Sequence, residues 1–361
     1  MGNIISKKKK VDSSNIIKLI SYNVDMENAV NMDTRISDII SYFEENLEGV
    51  RCDVMCIRGI NNFVVYYKLV TMIKSKYKNN INIVPDYYND NIDISNIYNK
   101  SEIKQIFNDN QMIDFAKKKK KKVRNIIISR HKIISTVYSE LDDDIIIDDI
   151  LGVHSIIGAN IIINKKIYSF YNTALCSDIK YANIVNTHAR KSELKVLFEV
   201  IKNNSTDLDK LVNKNNEGKK KHKLSNAHIL TGTFNIPINE YLVLVNEMNC
   251  IDLVNMVKKE KEYAEYSLRN RSVHGICGNV YNKSIRKISP GNSDDQTYLS
   301  DYVFLYDIDN KINGENDSLA HIKKKLYDNY NIYVVSADIR KNFYGSDYLL
   351  RPSREYIIML V

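Results

Sequence analysis

The chain has 361 residues, 44% of them hydrophobic, with 52 Lys and Arg against 44 Asp and Glu and a formal charge of +8. That length and apolar content supply a sizeable core for one large or two ordinary domains. No apolar stretch approaches the length that crosses a bilayer, and five cysteines without regular spacing or a signal peptide argue against a disulfide framework and for reduced thiols in a cytosolic setting.

Ile, Asn, Lys and Tyr dominate, with 25 Tyr, 4 Pro and no Trp. These favoured residues have A/T-rich codons, as in an A/T-rich eukaryotic or large viral genome. The positive charge is gathered into runs: Lys7–Lys10, Lys117–Lys122 with Arg124, and Lys219–Lys221 with Lys223. The two internal runs read either as solvated loops or, for Lys117–Lys122, as a nuclear-import patch or a non-specific nucleic-acid contact. The first residues carry a separate signal. Met1-Gly2-Asn3-Ile4-Ile5-Ser6 fits the M-G-x-x-x-[ST] pattern for myristoylation of Gly2. Lys7, Lys8, Lys9 and Lys10 follow at once, and a single acyl chain plus a polybasic patch attaches stably to an anionic membrane surface where either alone is weak. Residues 1–15 are read as a disordered, lipidated leader.

From residue 16 the pattern is that of one domain with insertions. Ile16–Val24 predicts a first strand. Asp33 can cap a helix bearing Ile36, Ile39, Ile40, Phe43 and Leu47 at helical spacing. Val54–Ile57 predicts a short buried strand flanked by Cys52 and Cys56 as packing residues, and a helix follows from Phe63 to Lys74. Residues 79–122 are polar and read as an insertion. Pattern returns at Asn125–Ile128, and Ile156–Ile163 with Ile167–Asn172 predict a hairpin across Asn164-Lys165-Lys166. Arg190, Glu193, Leu194, Leu197, Val200 and Ile201 form an amphipathic helix. A second polar stretch covers 203–225. His228–Thr231 predicts a strand, Asn239–Met248 a helix, and Asp252-Leu253-Val254 a short apolar stretch. A charged insertion spans about 258–291, and Tyr298–Tyr306, Ile332–Ala337 and Tyr356–Val361 predict the closing strands.

Several of these strand ends carry short motifs in a telling order. Ile20-Ser21-Tyr22-Asn23-Val24, Asp53 to Ile60, Phe170-Tyr171-Asn172-Thr173-Ala174-Leu175, Leu230-Thr231-Gly232-Thr233-Phe234-Asn235, Ser300-Asp301-Tyr302-Val303-Phe304 and Ser346-Asp347-Tyr348-Leu349 succeed one another. The series resembles the endonuclease/exonuclease/phosphatase superfamily, where the segments read S-x-N-V, D-(V/I)-(I/V)-x-L-Q-E, F-x-N-T-H-L, L-x-G-D-F-N, I-D-Y-I-F and S-D-H-L. Ile128 to Ile133 is similar to its L-S-R-x-P-I. The resemblance covers residues 16–361. It implies a DNase I-like α/β fold, a four-layer sandwich of two mixed sheets flanked by helices.

The same resemblance implies a site that has lost its chemistry. Family members cleave phosphoesters with water and a divalent ion, usually Mg²⁺, anchored by the Glu of the second motif. Here Gly59 stands at that position, Ala174 at the His of N-T-H, Thr233 at the Asp of D-x-N and Tyr348 at the His of S-D-H. Asn23, Asn235, Asp301 and Asp347 match, but their counterparts orient groups that are missing. Thr233 is no base near neutral pH, and loss of a general base alone costs about 10²–10⁴-fold. No catalytic residue and no metal ligand is therefore assigned, and no cofactor is expected. Asp25 and Glu27 could supply displaced carboxylates or simply form an acidic loop. His188, in Asn186-Thr187-His188, falls at a helix start and is read as a coincidental match to N-T-H. His131 and His154 remain candidates only because His is scarce in the chain, since lone histidines are usually structural. The first reading is a catalytically inactive member of the superfamily on the cytoplasmic face of a membrane, acting as a binding or scaffold protein with a protein partner. The second is a divergent Mg²⁺-dependent phosphodiesterase or phosphatase acting on nucleic acid or phospholipid. The third is a structural protein of a virus particle; virion and nucleus are the alternative locations.

Overall fold

The computed structural model describes residues 17–23, 52–60, 63–77, 80–85, 125–141, 154–176, 187–215, 227–237, 243–244, 248–253, 298–309, 312, 319–330, 332, 336–340 and 353–360. In chain order the strands are β1 (Ile17–Asn23), β2 (Val54–Arg58), β3 (Asn82–Val84), β4 (Ile126–Ser129), β5 (Ile133–Leu141), β6 (His154–Ile163), β7 (Lys166–Ala174), β8 (Ala227–Pro237), β9 (Cys250–Asp252), β10 (Tyr298–Tyr306), β11 (Ser336–Arg340) and β12 (Ser353–Leu360). The helices are α1 (Phe63–Tyr77), α2 (Thr187–Asn215) and α3 (Leu319–Tyr330).

Two six-stranded mixed sheets result, ordered β11-β12-β1-β2-β4-β3 and β5-β6-β7-β8-β10-β9. Each contains one parallel pair, β1 with β2 and β7 with β8, amid antiparallel neighbours. Period-two alternation decides which side chains meet between the sheets. Ile17, Leu19, Val54, Cys56 and Ile127 of the first sheet join Ile157, Ile161, Phe170, Ile229, Val303 and Leu305 of the second in one buried cluster. Each such side chain contributes about 1.5–3 kcal/mol when fully buried. Ile322, Leu326 and Tyr330 of α3 belong to the same cluster.

On the outer face of the second sheet the alternate residues Tyr171, Leu230, Tyr302 and Phe304 pack with Leu194, Leu197, Phe198 and Ile201 of α2. Tyr302 and Phe304 stack at 4.8 Å between ring centroids, with Phe234 edge-on to both. The D-Y-V-F motif thus alternates aromatic residues outward and aliphatic ones inward. Helix α1 buries Tyr66, Leu69, Val70 and Ile73, a stripe at helical spacing. The two mixed sheets with helices match the expected architecture.

The expected hairpin is β6–β7, with Ile163 opposite Lys166. Its two-residue turn holds Asn164 and Lys165 at φ 49° and 66°, the geometry of a type I′ connection. Two expectations are corrected, and two elements form where none was expected. Helix α2 continues to Asn215, so the stretch read as polar from 203 is helical to that point. Buried Asn204, Ser205 and Leu208 lie at helical spacing after Ile201, and two of the three are polar, which hid the stripe. Within the segment read as an insertion from 79, β3 adds to the sheet edge beside β4. Strand β5 was missed because it is half-exposed at a sheet edge, with Thr136, Tyr138 and Glu140 outward; α3 was missed as well. Expectations falling on residues 1–16, 24–51, 86–124, 216–226, 254–297 and 341–352 lie outside the described residues.

Candidate functional site

The two parallel pairs run toward the same end of the sandwich. In the first sheet Asn23 is opposite Arg58, and in the second Ala174 is opposite Thr233. Four of the motifs therefore converge where β1, β2 and β7 end beside Thr233 of β8. Gly232 allows this convergence: a Cβ there would lie 2.8 Å from the Thr173 carbonyl oxygen and 2.8 Å from the Phe234 ring. The glycine of the L-x-G-D-F-N resemblance is a close-packing residue.

The centre of this end is Arg58, whose side chain is completely buried. Its Nε donates to Thr233 Oγ1 at 3.0 Å, and Nη1 donates to Ser21 Oγ at 2.8 Å and Asn172 Oδ1 at 3.4 Å. The guanidinium thus crosses from the first sheet to the second. Asn172 returns the link, its Nδ2 donating to the carbonyls of Ile57 at 2.8 Å and Ile126 at 3.0 Å. Thr231 Oγ1 lies 3.0 Å from the Tyr171 carbonyl and 3.3 Å from Asn172 Oδ1. A buried charge without hydrogen bonds costs several kcal/mol, and this network offsets that cost.

These residues do not fit a divalent ion. Mg²⁺ takes oxygen ligands in near-octahedral geometry, anchored by carboxylates. Among the described side chains the oxygens that meet here are Ser21 Oγ, Asn172 Oδ1 and Thr233 Oγ1, and all three accept from the guanidinium. A doubly charged ion within about 4 Å of that group would be repelled by about 8 kcal/mol at an effective dielectric of about 20. Gly59 adds a backbone reason: its φ of 78° lies in the left-handed region, which a glutamate adopts only at a cost of about 1–2 kcal/mol. A cysteine nucleophile is no better supported, since burial pushes the Cys56 thiol up to about 11.

Gly59, Ala174 and Thr233 are brought to this end, and Asn23, Asn235 and Asp301 occupy positions in β1, β8 and β10. Asp301 is opposite Thr233. Gly2, Lys7–Lys10, Asp25, Glu27, Lys117–Lys122, Asp347 and Tyr348 lie outside the described residues. His188 is exposed in the first turn of α2 and belongs to no strand, as its sequence context implied. His131 is in the β4–β5 turn at the opposite end of the first sheet. There its Nε2 lies 2.8 Å from Asp53 Oδ1, while Asp53 Oδ2 accepts from the Lys18 backbone N–H at 2.8 Å. Among the described residues no group of three or more His, Cys, Asp or Glu is arranged to hold a metal. Arg58 is the residue that sequence reasoning missed. Its signal was a cation closing an otherwise apolar strand, at the Gln position of the L-Q-E pattern.

Solved structures similar to this chain include a humanized TDP2 of D. rerio at 10% identity, covering 96% of this chain and 99% of that chain with a TM-score of 0.49. An endonuclease/exonuclease/phosphatase family protein from Leptotrichia buccalis aligns at 11% identity over 96% and 99% of the two chains, TM-score 0.49. A mannosyl-6-phosphatase from Bacteroides thetaiotaomicron aligns at 12% identity over 96% and 99%, TM-score 0.48. No family model matches the sequence. No curated protein matches it.

Proposed function

We propose that the chain is a non-hydrolysing member of the endonuclease/exonuclease/phosphatase superfamily, held on the cytoplasmic face of a membrane by a myristoylated, basic N-terminus and acting there as a binding or scaffold protein. The observation that carries the reading is Gly59. At the end of β2, where the resemblance calls for the metal-anchoring Glu, the chain has no side chain and a backbone turned into the left-handed region. Thr233 and Ala174 extend the loss across β8 and β7, since a neutral hydroxyl does not take a proton from water near pH 7 and a methyl group cannot donate to a phosphorane. Membrane attachment is supported by Gly2 and Lys7–Lys10 alone.

The test is turnover by the purified full-length chain against phosphodiesters and phosphomonoesters, with Mg²⁺ and Mn²⁺ titrated. The expected result is no metal-dependent hydrolysis. Metal-dependent turnover abolished by Asp25→Ala or Glu27→Ala would replace this reading with that of an active enzyme using relocated carboxylates.

A further inference from the structure

We infer that Arg58 is a resident cation that has taken the place of the divalent ion, and that Arg58, more than the missing carboxylates, is what now keeps metal out of this site. The inference rests on the non-hydrolysing reading and deepens it by naming the group responsible. Three observations lead to it. The guanidinium is wholly buried between the sheets. It reaches Thr233, the position at which the resemblance places an acid, through an Nε hydrogen bond of 3.0 Å. It also draws the side-chain oxygens of Ser21 and Asn172, one from each sheet, onto Nη1. Among the described residues the guanidinium is thus ringed by side-chain oxygens from both sheets, as a metal centre would be, but the cation belongs to the protein. A carboxylate added at 233 would meet Arg58 first and form a bidentate or end-on ion pair with it. Restoring acids beside an intact Arg58 should strengthen this cross-link between the sheets and still leave no metal site.

The experiment has two arms. In the first, full-length wild type selectively labelled with ¹⁵N-arginine is titrated with Mn²⁺, and the Arg58 Nε–H resonance is followed. Arg58 should keep its intensity; broadening that Mg²⁺ competes away would overturn the inference. This arm needs no variant to fold. In the second, Gly59→Glu/Thr233→Asp is compared with Arg58→Gln/Gly59→Glu/Thr233→Asp by calorimetric Mn²⁺ titration, after circular dichroism has verified folding. Both carry the same strain at residue 59, so their difference reports Arg58. The triple variant should bind Mn²⁺ roughly tenfold or more tightly than the double, as removal of a nearby like charge requires. Equal affinities, or a folded triple variant without binding, would overturn the inference. The two readings fail separately. Mn²⁺ beside Arg58 without turnover removes this inference alone, and wild-type turnover with an unbroadened Arg58 removes the functional reading alone.

Discussion

His228 illustrates how a single buried side chain sets a condition on the whole fold. It lies on β8 opposite Ser169 of β7, with Nδ1 3.4 Å from the Tyr171 hydroxyl and Nε2 buried without a hydrogen-bond partner among the described residues. Tyr171 is in turn held by Asn204 of α2, whose Nδ2 donates to its hydroxyl at 2.6 Å. Burial lowers the imidazole from its ordinary 6.5 to about 4, with Asp309 pulling weakly the other way. The sign follows directly. Between 6.5 and about 4 the unfolded chain binds a proton that the folded chain refuses, so stability is intact above 6.5 and is lost as the pH falls toward 4. The full loss is about 3 kcal/mol. Urea unfolding of the wild type should show it between about pH 7.5 and 4.5, and His228→Phe should lose correspondingly less over that range. A variant that tracks the wild type across the range would place the acid sensitivity elsewhere.

At the scale of elements, the β6–β7 hairpin and the long helix α2 show two different balances between local and tertiary preference. The hairpin turn needs positive φ at two successive residues, and the chain supplies Asn164, which tolerates it, and Lys165, which does not. Packing on both strands of the hairpin holds the turn closed regardless, with Ile161, Ile163 and Tyr168 in the core between the sheets. Lys165→Gly should therefore raise stability by about 1 kcal/mol, because the lysine's strain is relieved and no contact with the core is lost. Thermal or urea unfolding reads this directly; an unchanged or lowered midpoint would show that the strain is already absorbed elsewhere in the turn. Helix α2 is stabilised from its start. Buried Glu193 accepts the Cys176 N–H at 2.8 Å through Oε2, and buried Arg190 reaches the Cys176 carbonyl through Nη1 at 3.5 Å. These two side chains tie the helix to the chain leaving β7, one residue past the Ala174-Leu175 step, and so position the second sheet's contribution to the Arg58 network.

For the whole molecule, the proposed function couples a rigid sandwich to a short basic leader. One acyl chain binds a membrane only marginally, and each lysine near an anionic leaflet adds about 1 kcal/mol. Gly2→Ala should move the full-length chain from the membrane to the soluble fraction. Neutral replacement of Lys7–Lys10 should weaken attachment while leaving the lipid in place. Intact-mass measurement from a host that contains the acyltransferase checks the modification itself, and an unmodified Gly2 there would remove the anchor from the reading.

The fold was legible in the sequence wherever burial was one-sided and periodic. The apolar runs of β1, β2, β6, β7 and β10 and the Leu194–Leu197–Ile201 stripe of α2 could only be buried in one way, so pattern alone specified them. The order of motifs likewise pointed to residues from different strands, and Gly59 follows the end of β2 while Ala174 ends β7 opposite Thr233 of β8. Sequence could not determine what fills that site. Arg58 looks like an ordinary surface cation ending a strand, because a charge at that point is normally solvated. Only the closing of two sheets over it, with Ser21, Asn172 and Thr233 arriving from three other strands, makes burial of the guanidinium tolerable. The left-handed turn of Gly59 is equally a tertiary outcome: glycine permits either hand, and the packed ends of the strands selected one.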